Sequence, residues 1–372
     1  MKLLYISNDG GHVGLAQRTA EEGLDSFSFS GISTFRDWGF DLFKDVESWR
    51  QVITDVDAVA LPPSFLHAMK AHAMAEQYKK ALLWFDSALI KAVEYPRDLF
   101  EATGMLEEER YADVEAVPVR FSITGYWNGR DWADPVFVSF REDYSYPGDL
   151  GPPRVGMGTL TLPTEKFVLY DKTLGRLVPY MRKMDFRGFF EIDLIAKGSG
   201  FSPVAIHAPA TWIVQEAIAE GLQDDLATLM LDTAFGQRKV LEVDNAYLIG
   251  VLVMTPPQPL ELVVDGLRPE VLKHVFIRNL YRTDRGFVLV RGNSDVLTAT
   301  ARGRTVKEAR KRARASLESV QVLDKIYRID VGARVDRMYD SKESYLETLY
   351  GPFQTTWSGD LKQLKRWGWI NG

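Results

Sequence analysis

Gly148-Asp149-Leu150-Gly151-Pro152-Pro153-Arg154-Val155-Gly156-Met157-Gly158 is the stretch on which the fold turns. Its glycines and prolines predict a loop over residues 146–158 that presents backbone N–H groups to an anion or a polar ligand. The plainer alternative is a surface Ω-loop. On its N-terminal side, β-rich runs at 119–126 and 136–140 flank Asn128-Gly129, a strong hairpin-turn signal. On its C-terminal side the pattern predicts a helix over 173–184 and strands over 188–196 and 203–206. Two further helices follow, over 213–221 and 225–235.

The first eighty-five residues alternate strand and helix. Strands are expected at 2–6, 58–61 (ended by Pro62-Pro63) and 81–85, with helices at 15–24 and, capped by Ser64, at 64–80. Such alternation predicts a parallel sheet with helices on its faces. Between the first strand and helix lies Asn8-Asp9-Gly10-Gly11-His12, a glycine turn too irregular for a dinucleotide fingerprint. Beyond residue 245, strands are expected at 246–254, 275–280, 286–290 and 295–301. Thr305 and Glu308 then have capping-box spacing, opening a helix whose buried stripe is Val306, Ala309, Ala313, Leu317 and Val320.

Composition narrows the function classes. The chain has 372 residues, 46% apolar and 12% aromatic, enough for two or three cored domains. With no cysteine, thiolate nucleophiles, disulfides and iron–sulfur clusters are excluded. A net charge of −6 argues against non-specific nucleic-acid binding. The cations Arg302, Arg304, Lys307, Arg310, Lys311, Arg312 and Arg314 fall on the solvated side of the last helix. His67 and His72, five apart on a helix, do not share a face. The longest uncharged run is too short to cross a bilayer and the N-terminal apolar run too short for a signal peptide, so a cytoplasmic location is expected.

The quoted stretch resembles the Asp-Thr-Gly-Pro-Asn-Thr-Gly-Gly-Met-Gly loop of phosphoribosylamine–glycine ligases, within the ATP-grasp superfamily of carboxylate–amine ligases. The resemblance continues in order. Residues 1–15 are similar to that family's first strand and glycine turn, and Ile123 to Arg130 to its Ser-Gly-Tyr-Phe-Asn-Gly hairpin. Phe186-Arg187-Gly188-Phe189-Phe190-Glu191-Ile192-Asp193 is similar to a metal-side strand. Residues 301–310 and Tyr327-Arg328-Ile329-Asp330-Val331-Gly332-Ala333-Arg334 resemble the C-terminal domain. The resemblance implies an α/β and α+β fold. A Rossmann-like pre-ATP-grasp domain (1–105) is expected, then a remaining ATP-grasp lobe (119–240), a small mixed C-terminal domain (241–335) and an aromatic, charged tail (336–372).

Two departures from the family shape the functional expectation. The family inserts a nucleotide-covering subdomain before the hairpin; here only residues 106–118 lie there, too few for a lobe with its own core. The family's Glu-x-Asn-x-Arg-Phe-Gly holds magnesium, whereas the matching positions are Ala205, His207 and Pro209. Alanine offers no ligand, and imidazole suits softer metals than magnesium. Glu191 and Asp193 remain as metal candidates, expected to point to opposite sheet faces, and with His207 they are the catalytic candidates. The candidate ligand-binding residues are Gly10, Gly11, Gly148, Asp149, Gly151, Gly156 and Gly158.

The expected protein is a degenerate relative of these purine-pathway ligases, acting as a binding or scaffold subunit without a cofactor of its own. Its expected partner is a protein, either a second copy or an active ligase relative, and its small-molecule ligand class is a phosphorylated compound. Neither nucleic acid nor membrane is expected. The alternative is a carboxylate–amine ligase using ATP and Mg2+, completed by a partner subunit or an altered site.

Overall fold

Alternating burial explains the first sheet. In β1 (Lys2–Ser7), Leu3 and Tyr5 enter one core while Leu4 and Ile6 enter another, so the strand is covered on both faces. The computed structural model describes residues 1–8, 11–30, 44–108, 119–166, 168–197, 200–237, 240–257, 259–284 and 286–335. Among these, β1 is the middle strand of a five-stranded parallel sheet with β2 (Asp25–Ser30), β3 (Lys44–Asp45), β4 (Ala58–Ala60) and β5 (Ala81–Leu83), in the order β3-β2-β1-β4-β5. Helices α1 (Val13–Glu21), α2 (Trp49–Val52), α3 (Ala68–Gln77), α4 (Ser87–Glu94) and α5 (Pro96–Ala102) connect and follow these strands.

The expected parallel sheet is present, with differences at its edges. The helix expected at 15–24 begins two residues earlier and ends at Glu21, and 25–30 is a strand that the pattern reading passed over. The expected cap Ser64 lies three residues before the observed N-cap of α3, His67, which makes no side-chain cap bond. Ser64 instead offers its carbonyl to Asn8 Nδ2 at 2.7 Å, while Asn8 Oδ1 accepts from Leu66 N at 3.1 Å.

The second sheet has eight strands. They are β6 (Val119–Trp127), β7 (Trp132–Tyr146), β8 (Leu150–Thr164), β9 (Gly188–Lys197), β10 (Gly200–His207), β11 (Tyr247–Met254), β13 (Val275–Ile277) and β16 (Asp295–Gly303). Their order is β10-β9-β6-β7-β8-β11-β16-β13, so strands from residues 119–207 and 247–303 share one hydrogen-bonded surface through the β8–β11 pair. A three-stranded sheet of β12 (Leu262–Val264), β14 (Leu280–Thr283) and β15 (Gly286–Leu289) is interleaved with its last strands in the chain. The remaining helices are α6 (Val168–Lys172), α7 (Leu174–Met181), α8 (Trp212–Gly221), α9 (Leu226–Ala234), α10 (Pro269–Leu272) and α11 (Val306–Ser319). The α11 cap is as expected: Thr305 Oγ1 accepts from Glu308 N at 3.1 Å, and the expected stripe is buried. No helix among the described residues is long and apolar enough to cross a membrane.

The glycine- and proline-rich loop expected at 146–158 is instead the tip of the β7–β8 hairpin and most of β8. Only residues 147–149 turn, with Gly148 and Asp149 at φ +72 and +58. Gly151 and Gly156, both at φ +79, adopt backbone geometry that favours glycine, and the register shifts twice near this end. Gly158 is small for packing, because an added Cβ would lie 2.4 Å from Val331 Cγ2.

Arg328, 1% exposed, locks this hairpin to the C-terminal stretch. Its guanidinium donates to Asp149 Oδ1 at 2.9 Å, to both Asp330 oxygens and to the Tyr144 carbonyl, and faces Glu142 at 3.4 Å. Arg334 adds a second ion pair to Asp149, and Gly148 N donates to Asp330 Oδ2 at 2.8 Å. Burial raises the Glu142 carboxyl above its ordinary range despite these cations. Arg328→Met should therefore destabilise the chain by about 3–5 kcal/mol in urea unfolding, since buried carboxylates lose their counter-ion. Adding Glu142→Gln should recover part of that loss.

Candidate functional site

Side chains two apart on a strand share a face, and this decides the site. Glu191 and Asp193 on β9 therefore point the same way, contrary to the expectation of opposite faces. Arg141, on β7 two strands away, reaches both: Nη1 lies 3.5 Å from Glu191 Oε1, and Nη2 pairs with Asp193 Oδ2. Ser139 and Ser122 precede them on the same face, Ser122 standing opposite Asp193 in the register.

Glu191 is fully buried and its oxygens are engaged within the protein. Ser122 Oγ donates to Oε1 at 2.7 Å; the Thr211 backbone N–H and hydroxyl donate to Oε2 at 2.8 and 2.7 Å. Thr211 is the N-cap of α8, so the carboxylate ties strand β9 to the start of that helix. His207 stands opposite Glu191 on β10, with Nε2 3.1 Å from Asp193 Oδ2. Burial alone would raise the Asp193 carboxyl, but the His207 hydrogen bond and the Arg141 charge outweigh it and hold it below the usual range. The same contact, with the Glu191 charge, raises His207 against the opposing effect of burial. Asp193 Oδ1 is buried without a hydrogen-bond partner among the described residues, beside a small cleft lined by Arg120, Arg141, Asp143 and Val204.

A second buried polar joint lies along α8. Glu216, fully buried, accepts from Arg278 Nη2 at 2.7 Å, and Arg278 also reaches Thr298 Oγ1 and the Gly11 carbonyl. One turn on, Glu220 meets His274 Nδ1 and Thr300 Oγ1, each at 2.8 Å. Burial pushes Glu216 up to about 7 despite Arg278, and the Glu220 hydrogen bond raises His274.

The other expected site residues lie apart from Glu191. Gly10 is outside the described residues. Gly11 is buried under Trp212, where an added Cβ would fall 2.1 Å from the indole Nε1. The backbone N–H of Gly148 is bonded to Asp330 and that of Gly156 to Asp143 Oδ1 at 3.0 Å. Asp149 is occupied by Arg328 and Arg334, Gly151 lies under the Tyr146 ring, and Gly158 packs on Val331. The structure thus joins Glu191, Asp193 and His207, and disperses the glycines. Sequence reading missed Arg141, Ser122 and Thr211. Thr211, a threonine just ahead of an apolar helix, carried a local cap signal; Arg141 carried none, because only strand order brings it to β9.

By its likeness to solved structures the fold is ATP-grasp-like. Among solved structures, phosphoribosylamine–glycine ligase from Thermotoga maritima aligns over 89% of this chain and 100% of its own, at 16% identity and TM-score 0.58. The biotin carboxylase subunit of pyruvate carboxylase covers 87% of this chain and 91% of its own (11% identity, TM-score 0.55). N5-carboxyaminoimidazole ribonucleotide synthetase from Thermotoga maritima covers 87% and 99% (9% identity, TM-score 0.53). No family model matches the sequence, and no curated protein does.

Magnesium, which the resemblance implies together with ATP, does not fit the groups present. A hard cation needs several free oxygens in near-octahedral array. Ala205 supplies none, the Glu191 oxygens are bonded to Ser122 and Thr211, and Asp193 is shared between Arg141 and His207. A guanidinium pairs with both of the carboxylates a metal would need.

Thr211→Val should cost about 1–3 kcal/mol by leaving a buried carboxylate oxygen short of a donor, while Thr211→Ser should restore most of it. A pH effect follows from the α8 joint. In the unfolded chain Glu216 ionises near an ordinary glutamate value, so the folded state holds the extra proton between that value and about 7. Stability from this group is present at low pH and falls by about 3 kcal/mol as pH rises through that window. Raised His274 acts in the same direction. Urea titrations should show greater stability at pH 5 than at pH 8, and Glu216→Gln should flatten the difference.

Proposed function

We propose that this chain is a phosphoribosylamine–glycine ligase-like protein that has lost autonomous ATP-dependent ligation and serves as a binding or scaffold subunit for a protein partner. The carrying observation is Arg141, whose guanidinium reaches both Glu191 and Asp193 where a ligase needs open oxygens for its metal. The short passage from Glu108 to Val119 supports the same reading, because it leaves no room for a nucleotide-covering lobe. Without a metal to neutralise the phosphates, formation of an acyl phosphate loses its main charge stabilisation.

The reading assigns Glu191 to holding β9 against α8 rather than to chemistry. Calorimetric titration of the whole chain with ATP and magnesium should give no micromolar binding. Glu191→Gln should lower the melting temperature without altering any nucleotide response. Magnesium-dependent ATP binding at micromolar affinity, lost in Glu191→Gln, would overturn the proposal and favour the ligase completed by a partner.

A further inference from the structure

Three exposed apolar side chains gather at the tip of the β7–β8 hairpin. Tyr144 and Tyr146 are two apart on β7 and so share a face, 39% and 44% exposed. Leu150 stands opposite Tyr146 in the register and is 65% exposed, which sets the two side chains next to each other. Glu142, two residues before Tyr144, belongs to the same face, and its carboxylate lies 3.4 Å from Arg328 and 3.7 Å from Arg334. The stretch 328–334 therefore crosses the face of β7 from which the tyrosines project, and Ile329 is exposed within it.

Exposure alone does not single these residues out, since Leu66 and Leu260 are more exposed still. The path of the chain does. Arg334 pairs with Asp149 at the hairpin turn, so Val335 is reached with the chain already held against the tip. Residues 336–372 follow; they lie outside the described residues and beyond the motifs that resemble the ligase family. Their first part carries Tyr339, Tyr345, Leu346, Leu349 and Tyr350. At about 3.3 Å per residue, Tyr339 stays within ~13 Å of Val335 and Tyr350 can reach to ~50 Å, so the hairpin tip is in range of all five. A segment tethered beside a surface meets it at an effective concentration of about millimolar, whereas a separate molecule meets it only at its own concentration.

We propose that residues 339–350 of this chain dock on the tip of the β7–β8 hairpin, setting their tyrosine and leucine side chains on Tyr144, Tyr146 and Leu150 and covering the Arg334–Asp149 pair. Burial of those apolar side chains supplies the attraction, and the ion pairs of Arg328 and Arg334 aim the segment at its seat. Docking makes the tip a conditional surface: closed to other molecules with the segment seated, open with it released. The proposal goes beyond the scaffold reading and does not depend on it, because it holds whether or not the chain binds nucleotide.

The experiment is limited trypsin digestion of the full chain, with the released fragments followed by mass. Lys342 lies inside the proposed contact and Lys362 beyond it. Where reclosing outpaces cleavage, the rate of cutting tracks the population of the open form. The hairpin variant Y144S/Y146S/L150S should be cut at Lys342 about tenfold faster than the parent, equivalent to about 1.4 kcal/mol, with the rate at Lys362 unchanged. The segment variant Y345S/L346S/L349S, which leaves the hairpin intact, should show the same acceleration. Combining the two sets should add nothing further, because each removes one side of a single contact. The control L66S/L260S removes two exposed leucines elsewhere and should be cut as the parent is. An unchanged rate at Lys342 in either variant would overturn the proposal, as would equal acceleration at Lys362, additive effects or acceleration in the control. Protection of Lys342 that grows as protein concentration is raised would also overturn it, assigning the hairpin tip to a second copy of the chain.

Discussion

A carboxylate removed from water must find its donors in the protein, and Glu191 finds them on three separate segments. Ser122 comes from β6, Arg141 from β7 and Thr211 from the cap of α8. Those bonds tie β6, β7 and β9 to the entry point of the helix that crosses their polar face. Once α8 starts at Thr211, its next turns carry Glu216 and Glu220 over β16, where Arg278, Thr300 and His274 meet them. The same helix begins with Trp212, whose indole lies on Gly11 and on the edge of Trp84, joining the parallel sheet to the larger one.

Much of the fold could be read from local pattern. The strand–helix alternation gave the parallel sheet, Asn128-Gly129 the hairpin turn, and Thr305 with Glu308 the start of α11. These signals act over a few residues, and tertiary contacts reinforce them. The stretch 146–158 misled because glycine and proline mark both loops and irregular strands. Its glycines sit at register shifts and close contacts in a long hairpin, and only the partner strand reveals that. The site was half legible. Glu191, Asp193 and His207 were visible as residue types, yet the pairing of both carboxylates with Arg141 depends on a contact about fifty residues distant in sequence.

The likeness to ligases and carboxylases is one of shape, and a shape does not fix a chemistry. What distinguishes this chain is how its charges are spent. In a metal site, carboxylates stay open until the cation arrives; here both Glu191 oxygens are bonded to protein donors, and of Asp193 only Oδ1 is left over. These bonds tie β6, β7, β9 and the start of α8 together on one face of the sheet.

The eight-stranded sheet carries a mechanical consequence. Because β8 pairs with β7 on one side and β11 on the other, no seam of solvent divides the early strands from the late ones. A single protease cut in the connection between Met254 and Leu262 would leave both fragments zipped together through the β11–β16 pair. Backbone amides of β11, paired with β8 on one side and β16 on the other, would then exchange with heavy water only when that pairing opens.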